Sequence, residues 1–450
     1  MGASASIPTC WYNLLADLPF ELPPDLPCPS DERPRRVKIP PALIRQELDR
    51  RRLIPIPEEV SDRYQQWRPT PLRRARDFER AIGTDCAIYY KYEGGNLSGS
   101  HKLTTAVAQA YFYRNAGASC LTVGTGAGQW GTAVAAACGM FGLGCMVYMV
   151  RSSYEAKPYR KTMMELLGAT VVPSPSDRTV IGRRALATGE VDGTLSLALA
   201  EALEDSTDPG TCFATGSGET YTLLHQTVMG LEAAEQLEAI DARVDVIVAA
   251  LGAGSNLAGL AFPFLGPAFA GARAVRVVSV EPAACPKLTR GRYAYDFTDA
   301  SGQTPLQKMY TLGHDFAPAA MHAGGLRYHG SAKLIGALRH RGLIDALAVH
   351  QTAAFSSAVE FTKAEGILPA PESAHAIRGA VLEAQRADEA GAPQTIVISV
   401  SGHGLLDLAA YESYGQGTMV DTTVSSGDIE RALANLPDVS GLAGGGVDGS

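Results

Sequence analysis

The stretch Val246-Ile-Val-Ala-Ala-Leu-Gly-Ala-Gly-Ser-Asn256 joins six apolar residues to a turn of small ones. A continuous apolar run of this length predicts a strand that is covered on both faces, as in a parallel sheet. The apolar segment that follows Asn256 predicts a helix, so the turn leads from strand to helix. Small residues there leave backbone N–H groups free at the helix N-terminus, where the helix dipole favours a phosphate. The competing interpretation is a tight turn that needs glycine only for packing.

The same order of strand, glycine-rich turn and helix recurs along the chain. Apolar runs of strand length lie at Ala87–Tyr92, 145–150, 170–172, 246–251, 275–280 and Thr395–Val400. Alanine-rich segments of helix length, such as 104–114 and 195–204, lie between them. Buried strands that alternate with helices predict an α/β fold with parallel sheet.

The composition favours a folded protein that does not bind nucleic acid or membranes. The chain has 450 residues, of which 46% are hydrophobic, and a formal net charge of -8. A substantial core can be buried, and the negative balance argues against nucleic acid or an anionic membrane as the main partner. No apolar run approaches the roughly 20 residues that span a bilayer, and the start shows no secretion signal. The eight cysteines include no Cys-x-x-Cys pair, so reduced thiols and a cytoplasmic location are expected.

Three segments are expected along the chain. Residues 1–60 include proline-rich stretches such as Leu22-Pro-Pro-Asp-Leu-Pro27 and predict an extended N-terminal arm that wraps a body. Residues 61–415 contain the alternating strands and helices, and form that body. Residues 416–450 are a C-terminal extension. Its last part, 440–450, is mostly Gly, Val, Asp and Ser and predicts a flexible tail.

The segment Gly94-Gly-Asn-Leu-Ser-Gly-Ser-His-Lys102 places a lysine after small polar residues and at the start of an alanine-rich helix. The helix dipole disfavours a cation at this end, which makes a surface lysine an unusual choice there. Lysine is the residue that forms Schiff bases with carbonyl compounds when its surroundings keep part of it neutral. Lys102 is therefore a candidate nucleophile.

Two further glycine-rich turns follow strand-like runs. Gly124-Thr-Gly-Ala-Gly-Gln-Trp-Gly131 has the spacing of a dinucleotide fingerprint, but the next strand ends in Arg151 and not in the acidic residue that such a site needs. An arginine there leaves NADP binding open as an alternative. Val400-Ser-Gly-His-Gly404 presents a serine at the carboxyl edge of a predicted sheet, where α/β sheets bind ligands. No group of histidines has metal-ligand spacing, so no metal site is expected.

These motifs occur together, in this order, in one family. The chain resembles the β-chain of tryptophan synthase, and more closely its second, often stand-alone, branch. The similarity runs from 41–48 to 407–411, and it includes Trp67-Arg-Pro-Thr-Pro-Leu72, Leu224-His-Gln-Thr227 and Ala323-Gly-Gly-Leu-Arg-Tyr-His329. It implies the fold type II architecture, with two α/β lobes and pyridoxal 5′-phosphate (PLP) between them. The smaller lobe, roughly 115–230, is inserted into the body.

The resemblance also implies roles for individual residues. Lys102 resembles the Schiff-base lysine, His101 its neighbour beside the cofactor phosphate, and Ser401 the hydroxyl partner of the pyridine nitrogen. The phosphate cup is matched by Gly252, Gly254, Ser255 and Asn256. The loop that holds the substrate carboxylate through backbone N–H groups is matched by Thr125, Gly126, Ala127, Gly128, Gln129 and Trp130. Gln129 is also expected near the cofactor, and Glu372 matches an acidic residue of the family's site.

Four positions depart from the family pattern. Gly124 stands where relatives usually carry a glutamate that helps protonate the departing hydroxyl and then engages the indole N–H. Thr215 and Glu219 stand at usually apolar positions, and Thr104 at a usual asparagine. A pocket that is roomier at Gly124 and more polar at Thr215 suggests a different nucleophile or a better leaving group. If Glu219 reaches the site, it would instead replace the missing carboxylate.

The resemblance implies a lyase or synthase that acts by β-replacement. Serine, threonine or an activated serine would combine with a small nucleophile, through an aminoacrylate, to give a tryptophan-like or other β-substituted amino acid. The alternatives are β-elimination, ordinary tryptophan synthase β activity, NADP binding and a non-catalytic binding role. A homodimer is expected from the resemblance, whereas an α-chain partner and a bound monovalent cation stay open.

Overall fold

The computed structural model describes residues 6–28, 38–216, 218–299, 302, 304–440 and 442. The strands in this part of the chain are β1 (Cys10–Tyr12), β2 (Leu53–Pro55), β3 (Leu72–Arg74), β4 (Ala87–Tyr92), β5 (Cys120–Thr125), β6 (Gly144–Val150), β7 (Ala169–Ser174), β8 (Thr211–Phe213), β9 (Val246–Ala250), β10 (Arg276–Pro282), β11 (Arg292–Asp296), β12 (Gln307–Thr311), β13 (Asp345–Val349) and β14 (Thr395–Val400).

Helices connect and cover these strands. They are α1 (Pro41–Leu48), α2 (Glu58–Tyr64), α3 (Arg76–Ile82), α4 (Lys102–Asn115), α5 (Gln129–Phe141), α6 (Arg151–Ala156), α7 (Pro158–Leu166), α8 (Val180–Ala187), α9 (Leu195–Asp205), α10 (Thr220–Gln226), α11 (Val228–Glu238), α12 (Ser255–Phe269), α13 (Lys287–Arg290), α14 (Lys333–His340), α15 (Gln351–Glu365), α16 (Pro371–Glu389), α17 (Leu408–Gly415) and α18 (Ser426–Leu433). No helix in the described ranges is both long enough and apolar enough to cross a membrane.

Two sheets carry the architecture. The larger sheet has the order β13-β10-β9-β14-β4-β3, and all its pairs are parallel except β3 with β4. The smaller sheet has the order β7-β6-β5-β8 and is parallel throughout. Helices lie against both sheets, since parallel strands need crossover connections and are buried on both faces. The α/β fold predicted from the alternating pattern is confirmed.

The predicted elements agree closely with the observed ones. Ala87–Tyr92 and Thr395–Val400 have the predicted bounds, and the other predicted strands coincide with β6, β7, β9 and β10 to within a few residues. Sequence reasoning described the run before Gly124 as strand-like but gave no bounds for β5, which lies next to β6 in the smaller sheet. Its sequence, Cys-Leu-Thr-Val-Gly-Thr, interleaves threonine and glycine with few apolar side chains, so it lacks the continuous apolar run that revealed the others.

The division into arm, body and extension stays a prediction. In the described part of residues 1–60, the chain forms β1, η1 (a 3₁₀ turn, Leu14–Ala16), α1 and β2. The segment therefore includes helix as well as extended chain. The predicted tail, 440–450, lies outside the described residues except for Ser440 and Leu442.

Parallel strands bring four chain segments to one edge of the larger sheet or to the facing edge of the smaller one. The turns that follow β4, β9 and β14 begin at the carboxyl ends of neighbouring strands, and the turn after β5 begins at the carboxyl end of the smaller sheet. Ligands of open α/β sheets bind at such edges. The three glycine-rich turns and the segment that ends in Lys102 are the segments placed there.

A fully buried ion cluster fixes the segment between β4 and α4. Arg68 donates to Glu93 (Nη2 to Oε2, 2.7 Å) and to Glu232 (Nη1 to Oε2, 3.0 Å), and Lys91 Nζ lies 2.8 Å from Glu232 Oε2. Arg68 Nη2 also donates to Thr104 Oγ1 at 2.8 Å. None of the four charged side chains is exposed to solvent. The cluster therefore ties both ends of the Lys102 segment to α11.

Replacing Glu232 by alanine should destabilise the protein strongly, because it leaves two buried cations without their shared partner. We expect a loss of about 3–5 kcal/mol in the free energy of unfolding, measured by urea denaturation. Glu238→Ala is the matched control, since this residue lies on the same helix with an exposed side chain. It should change stability by no more than about 0.5 kcal/mol. Equal effects of the two substitutions would contradict a structural role for the cluster.

Candidate active site

Two adjoining cavities meet at Lys102. The inner cavity lies at the carboxyl edge of the larger sheet and is lined by His101, Lys102, Gln129, Gly252, Gly254, Ser255, Asn256, Glu372 and Ser401, among others. The outer cavity has a volume of about 360 Å³ and is lined by Lys102, Gly124, Thr125, Gly126, Ala127, Gln129, Trp130, Thr215 and Glu219, among others. The structure thus brings nearly all of the sequence-predicted site residues to the two cavities, with Lys102 and Gln129 lining both.

The segment before Lys102 is held by its own polar side chains. Asn96 Nδ2 donates to the carbonyl oxygens of Glu93 and Ser100, at 3.0 and 2.9 Å. Gly99 has φ +71°, and a Cβ there would come within 2.3 Å of the His403 ring, so only glycine fits. The loop therefore delivers Lys102 to the first position of α4 in one conformation.

The electrostatic setting of Lys102 favours its neutral form. Burial lowers the pKa of the Lys102 amine, and the Glu372 carboxylate opposes this shift only in part. A lysine with a lowered pKa is a nucleophile towards carbonyl carbon and a proton acceptor near neutral pH.

The turn after β9 is built of residues that cannot carry side chains. A Cβ on Gly252 would lie 2.4 Å from the Gly325 carbonyl oxygen. Gly254 has φ +144°, and its Cβ would lie 2.5 Å from Ile335. The N–H groups of the first turn of α12 have no intrahelical partner, so this end of the inner cavity suits an anion.

His101 and Ser401 approach the same cavity from the neighbouring turns. His101 donates its backbone N–H to the Ser401 carbonyl at 2.8 Å, and its Nε2 lies 3.4 Å from Ser255 Oγ. Burial, with a smaller contribution from Lys102, holds the pKa of His101 well below its usual value. Its imidazole is therefore neutral. The Ser401 hydroxyl lies 2.9 Å from the hydroxyl of Ser373, which the sequence analysis did not single out.

The side-chain amide of Asn256 lines the inner cavity and also forms hydrogen bonds to two strands of the larger sheet. Its Nδ2 donates to the Ala250 carbonyl at 3.1 Å, and its Oδ1 accepts from Ser399 at 2.6 Å. The side chain thus clamps the ends of β9 and β14 together. This leaves one amide hydrogen and the backbone N–H of Asn256 for a ligand.

The turn after β5 folds over the junction of the two cavities. Gly128, at φ +95°, donates its N–H to Thr125 Oγ1 at 3.2 Å. Gln129 Nε2 and the Gly325 N–H both donate to Glu372 Oε1, at 2.9 and 2.8 Å. The second carboxylate oxygen of Glu372 is buried and has no hydrogen-bond partner among the described residues. It is therefore available to a group bound in the cavity.

Arg160 packs behind this turn; sequence reasoning counted Tyr159-Arg160 among the stretches that match the family but gave Arg160 no role in the site. A Cβ on Gly128 would come within 2.4 Å of its side chain. Its guanidinium pairs with Asp407 at 2.9 Å, and Arg160 itself lines the inner cavity. This buried ion pair joins α7 of the smaller lobe to the chain after β14. The two segments are far apart in the sequence, so no local sequence pattern predicts the contact.

The room expected at Gly124 is not present. A Cβ on Gly124 would lie 2.6 Å from the Leu199 nitrogen and 2.7 Å from the Ala198 carbonyl group. The backbone of α9 therefore fills the space beside this glycine, which corrects the expectation of a roomier pocket. Leu195, Leu199 and Leu203 of α9 line the outer cavity instead. Their spacing of four residues marks one helix face and could have signalled this wall.

Of the other three positions that depart from the family pattern, two line the outer cavity and one does not. Thr215 lines the outer cavity, and its carbonyl oxygen accepts from Gln109 Nε2 at 2.9 Å. Glu219 lines the same cavity, where Gln307 Nε2 lies 3.5 Å from its Oε2. Burial and the nearby Glu47 raise the pKa of Glu219 to about 7. Thr104 belongs to the ion cluster around Arg68 and lines neither of the two cavities.

Comparisons with known proteins identify the family. A family model described as pyridoxal-phosphate dependent enzyme matches residues 64–402. A tryptophan synthase beta chain 2 of Thermotoga maritima is 50% identical over 412 residues, which are 90% of this chain and 97% of the relative. The same-named protein of Aeropyrum pernix is 48% identical over 424 residues, 92% of this chain and 94% of the relative. The chain belongs to the tryptophan synthase β-chain family.

Membership makes the protein a PLP-dependent enzyme of the lyase class with the fold type II architecture. The structure of a fungal L-serine ammonia-lyase from Rhizomucor miehei matches with a TM-score of 0.58 at 16% identity, covering 78% of this chain and 98% of that one. This similarity supports the fold. The family match also replaces the NADP interpretation of the turn after β5.

The chemical groups that line the inner cavity match those of PLP. It offers the Lys102 amine for the cofactor's aldehyde and the start of α12 for its phosphate. Gly252 and Gly254 line this end of the cavity and have no room for a side chain, so the N–H groups at the start of α12 stay accessible. An amine beside such a helix start suits an anionic aldehyde. The buried oxygen of Glu372 that has no partner among the described residues would accept a hydrogen bond from a donor group of the bound molecule.

We expect Gly124→Ala to destabilise the protein, because its methyl group meets the backbone of α9 and not a movable side chain. The loss should be about 1–3 kcal/mol in the free energy of unfolding, measured by thermal or urea denaturation. Gly415→Ala is the control, since a Cβ there meets no atom within 4 Å at the end of α17. That change should be neutral or slightly stabilising. A tolerated Gly124→Ala would show that α9 does not lie where the structure places it.

Proposed function

We propose that this protein catalyses β-replacement on serine or a related amino acid and joins an aromatic nucleophile such as indole to its β-carbon. The observation that carries the proposal is the outer cavity. It opens from Lys102 and has a predominantly apolar wall, formed in part by Leu195, Leu199, Phe213 and Trp130. Its volume of about 360 Å³ lies in the range of small-molecule sites. An aromatic ring would bury its faces against this wall.

The proposed roles follow the positions of the residues in the inner cavity. Lys102 holds the cofactor and moves the proton at the substrate Cα. The cofactor phosphate is bound by the N–H groups at Gly252, Gly254, Ser255 and Asn256, with the neutral His101 beside them. Ser401, whose hydroxyl lies against that of Ser373, would be the hydrogen-bond partner of the cofactor's pyridine nitrogen. Because a hydroxyl is a weak partner for that nitrogen, the ring stays less electron-withdrawing, which suits loss of a β-substituent.

The turn after β5 is proposed to orient the substrate. Backbone N–H groups from Thr125 to Trp130 bind its carboxylate, and Gln129 keeps this turn attached to Glu372. Bound PLP supplies an electron sink for the pair that is left at Cα. Lys102 Nζ accepts the Cα proton, which its lowered pKa allows. The closed apolar wall of the outer cavity keeps water from competing with the nucleophile.

The polar residues of the outer cavity support a nucleophile with its own hydrogen-bonding group. Thr215, Glu219 and Gln307 line the cavity together with its apolar residues, and Gln307 lies beside Glu219. Indole meets this requirement through its N–H, and so would a more polar aromatic amine. β-Elimination without a nucleophile is the competing reaction of the same residues. A homodimer, an association with an α-chain and a bound monovalent cation remain predictions.

Lys102→Ala should abolish both the visible absorbance of the bound cofactor and product formation, because it removes the amine that holds the aldehyde. The measurement is an absorbance spectrum of the purified protein supplied with PLP, together with a turnover assay. Lys363→Ala, an exposed lysine on α15 that lines neither cavity, controls for loss of a cation. Retained cofactor absorbance in Lys102→Ala would refute the assignment of this residue.

Incubation of the wild-type protein with serine and indole should give tryptophan, identified by mass spectrometry. Serine alone should be consumed more slowly, with pyruvate as its product. Phosphoserine and threonine, tested in parallel, identify the preferred leaving group and β-substituent. Equal pyruvate formation with and without indole, and no tryptophan, would instead establish β-elimination as the reaction.

A further inference from the structure

We propose that Glu219 is the residue that gives a proton to the departing β-substituent and takes one from the incoming nucleophile. This inference rests on the proposed function and assigns the acid–base group that Gly124 does not supply. Glu219 lies at the N-terminus of α10, and its side chain lines the outer cavity together with Lys102. It would therefore act from the start of α10, whereas a side chain at position 124 would act from the end of β5.

The backbone around Glu219 fixes where this carboxyl group enters the cavity. Its carbonyl oxygen accepts from the Thr222 N–H at 3.0 Å and from the Thr222 hydroxyl at 2.7 Å. Within the described residues, its carboxyl group accepts one hydrogen bond, the long one from Gln307. The group is thus anchored through its backbone while its oxygens remain open to a substrate.

Near Glu219, the positive charge of Lys333 is shared by two other carboxylates. It pairs with Asp25 at 3.2 Å and with Glu47 at 3.3 Å. Glu47 also accepts from the Tyr221 N–H at 3.1 Å. Both of these carboxylates are therefore engaged, while Glu219 forms no salt bridge in the described part of the chain. The negative charge beyond what Lys333 neutralises favours a proton on Glu219.

The surroundings of Glu219 suit a group that exchanges protons near neutral pH. Burial, then Glu47 and Asp25, raise the pKa of Glu219 to about 7, and Lys333 opposes them. The titratable and charged groups that face it from the packed elements are Asp25, Glu47, Tyr113, Tyr221, Asp299, Tyr328 and Lys333. An acid with a pKa near the working pH is effective in both directions of proton transfer.

Glu219 gives up one proton in the first half-reaction and takes one back in the second. When the Cα proton has passed to Lys102, the electron pair left at Cα makes the Cα–Cβ single bond a double bond as the Cβ–O bond breaks. The proton of Glu219 then completes the leaving oxygen as water, which leaves a carboxylate. In the second half, the nucleophile forms a bond to Cβ and loses its proton to that carboxylate, while Lys102 returns a proton to Cα. Both residues end in their starting forms.

The decisive experiment compares two amino acids that differ in their need for an acid. Glu219→Gln should slow the reaction of serine about 10²–10⁴-fold, measured as the rate of the cofactor's absorbance change. The same variant should react with β-chloroalanine at the wild-type rate, because chloride leaves without a proton. An unchanged cofactor spectrum and melting temperature establish that the variant is folded and loaded.

The pH profile gives an independent readout. In the wild type, the serine rate should fall as the pH rises through about 7, since Glu219 then loses its proton. This inflection should be absent in Glu219→Gln. Glu47→Gln removes a negative charge that raises the pKa of Glu219, so its inflection should move to lower pH. Lys333→Met removes the opposing cation and should move the inflection to higher pH.

Several outcomes would overturn the proposal. The first is an unchanged rate with serine in Glu219→Gln. The second is an equal loss of rate with serine and with β-chloroalanine in that variant. The third is a loss of rate that occurs only in Asp299→Asn, which would assign the role to that carboxylate. If the wild type reacts with neither amino acid, the proposed function fails and the assignment of Glu219 fails with it. Failure of the Glu219 assignment alone is recognised when the wild type reacts with both amino acids and one of the three contradicting results is also obtained.

Discussion

The buried ion cluster around Arg68 is the interaction on which the site depends. Glu93 and Thr104 stand at the two ends of the segment that contains Lys102, and Arg68 contacts both of them. Charges that are taken out of water are tolerated only when every partner stays in place. The segment between these ends therefore cannot shift without exposing an unpaired charge to the apolar interior. Lys102, the proposed Schiff-base lysine at the start of α4, gains its fixed position from this constraint.

Burial shifts the pKa values of the amine and imidazole in the two cavities downward and that of the carboxyl group upward. Burial lowers the pKa of Lys102 and of His101, and it raises the pKa of Glu219. All three shifts favour the uncharged form, because desolvation penalises whichever form carries charge. A neutral amine and a protonated carboxyl are the species that nucleophilic attack and leaving-group protonation require. Burial is thus the largest cause of all three shifts, and the charges of Glu47 and Asp25 add to the shift of Glu219.

Local sequence patterns predicted the parts of the site that lie within single segments. The turn at Gly252 and the segment before Lys102 could be recognised because their chemistry is contained in a few consecutive residues. The wall beside Gly124 could not, since it depends on how α9 packs against β5, two elements about 75 residues apart in the chain. The pairing of Lys333 with Glu47 is likewise a contact between distant helices. Periodicity reveals which face of a helix is apolar, but not which strand that face will cover.

The proposed exchange of a carboxylate at position 124 for one at Glu219 agrees with the packing of α9. The backbone of α9 lies against Gly124, so this strand end cannot carry a side chain while the helix stays there. Leu195, Leu199 and Leu203 of α9 line the outer cavity, and they bring no proton donor to it. In the proposed assignment the donor comes from α10 instead, because Glu219 at the N-terminus of that helix lines the same cavity. The nucleophile would then be held at its hydrogen-bonding edge by Glu219 and at its faces by the leucines.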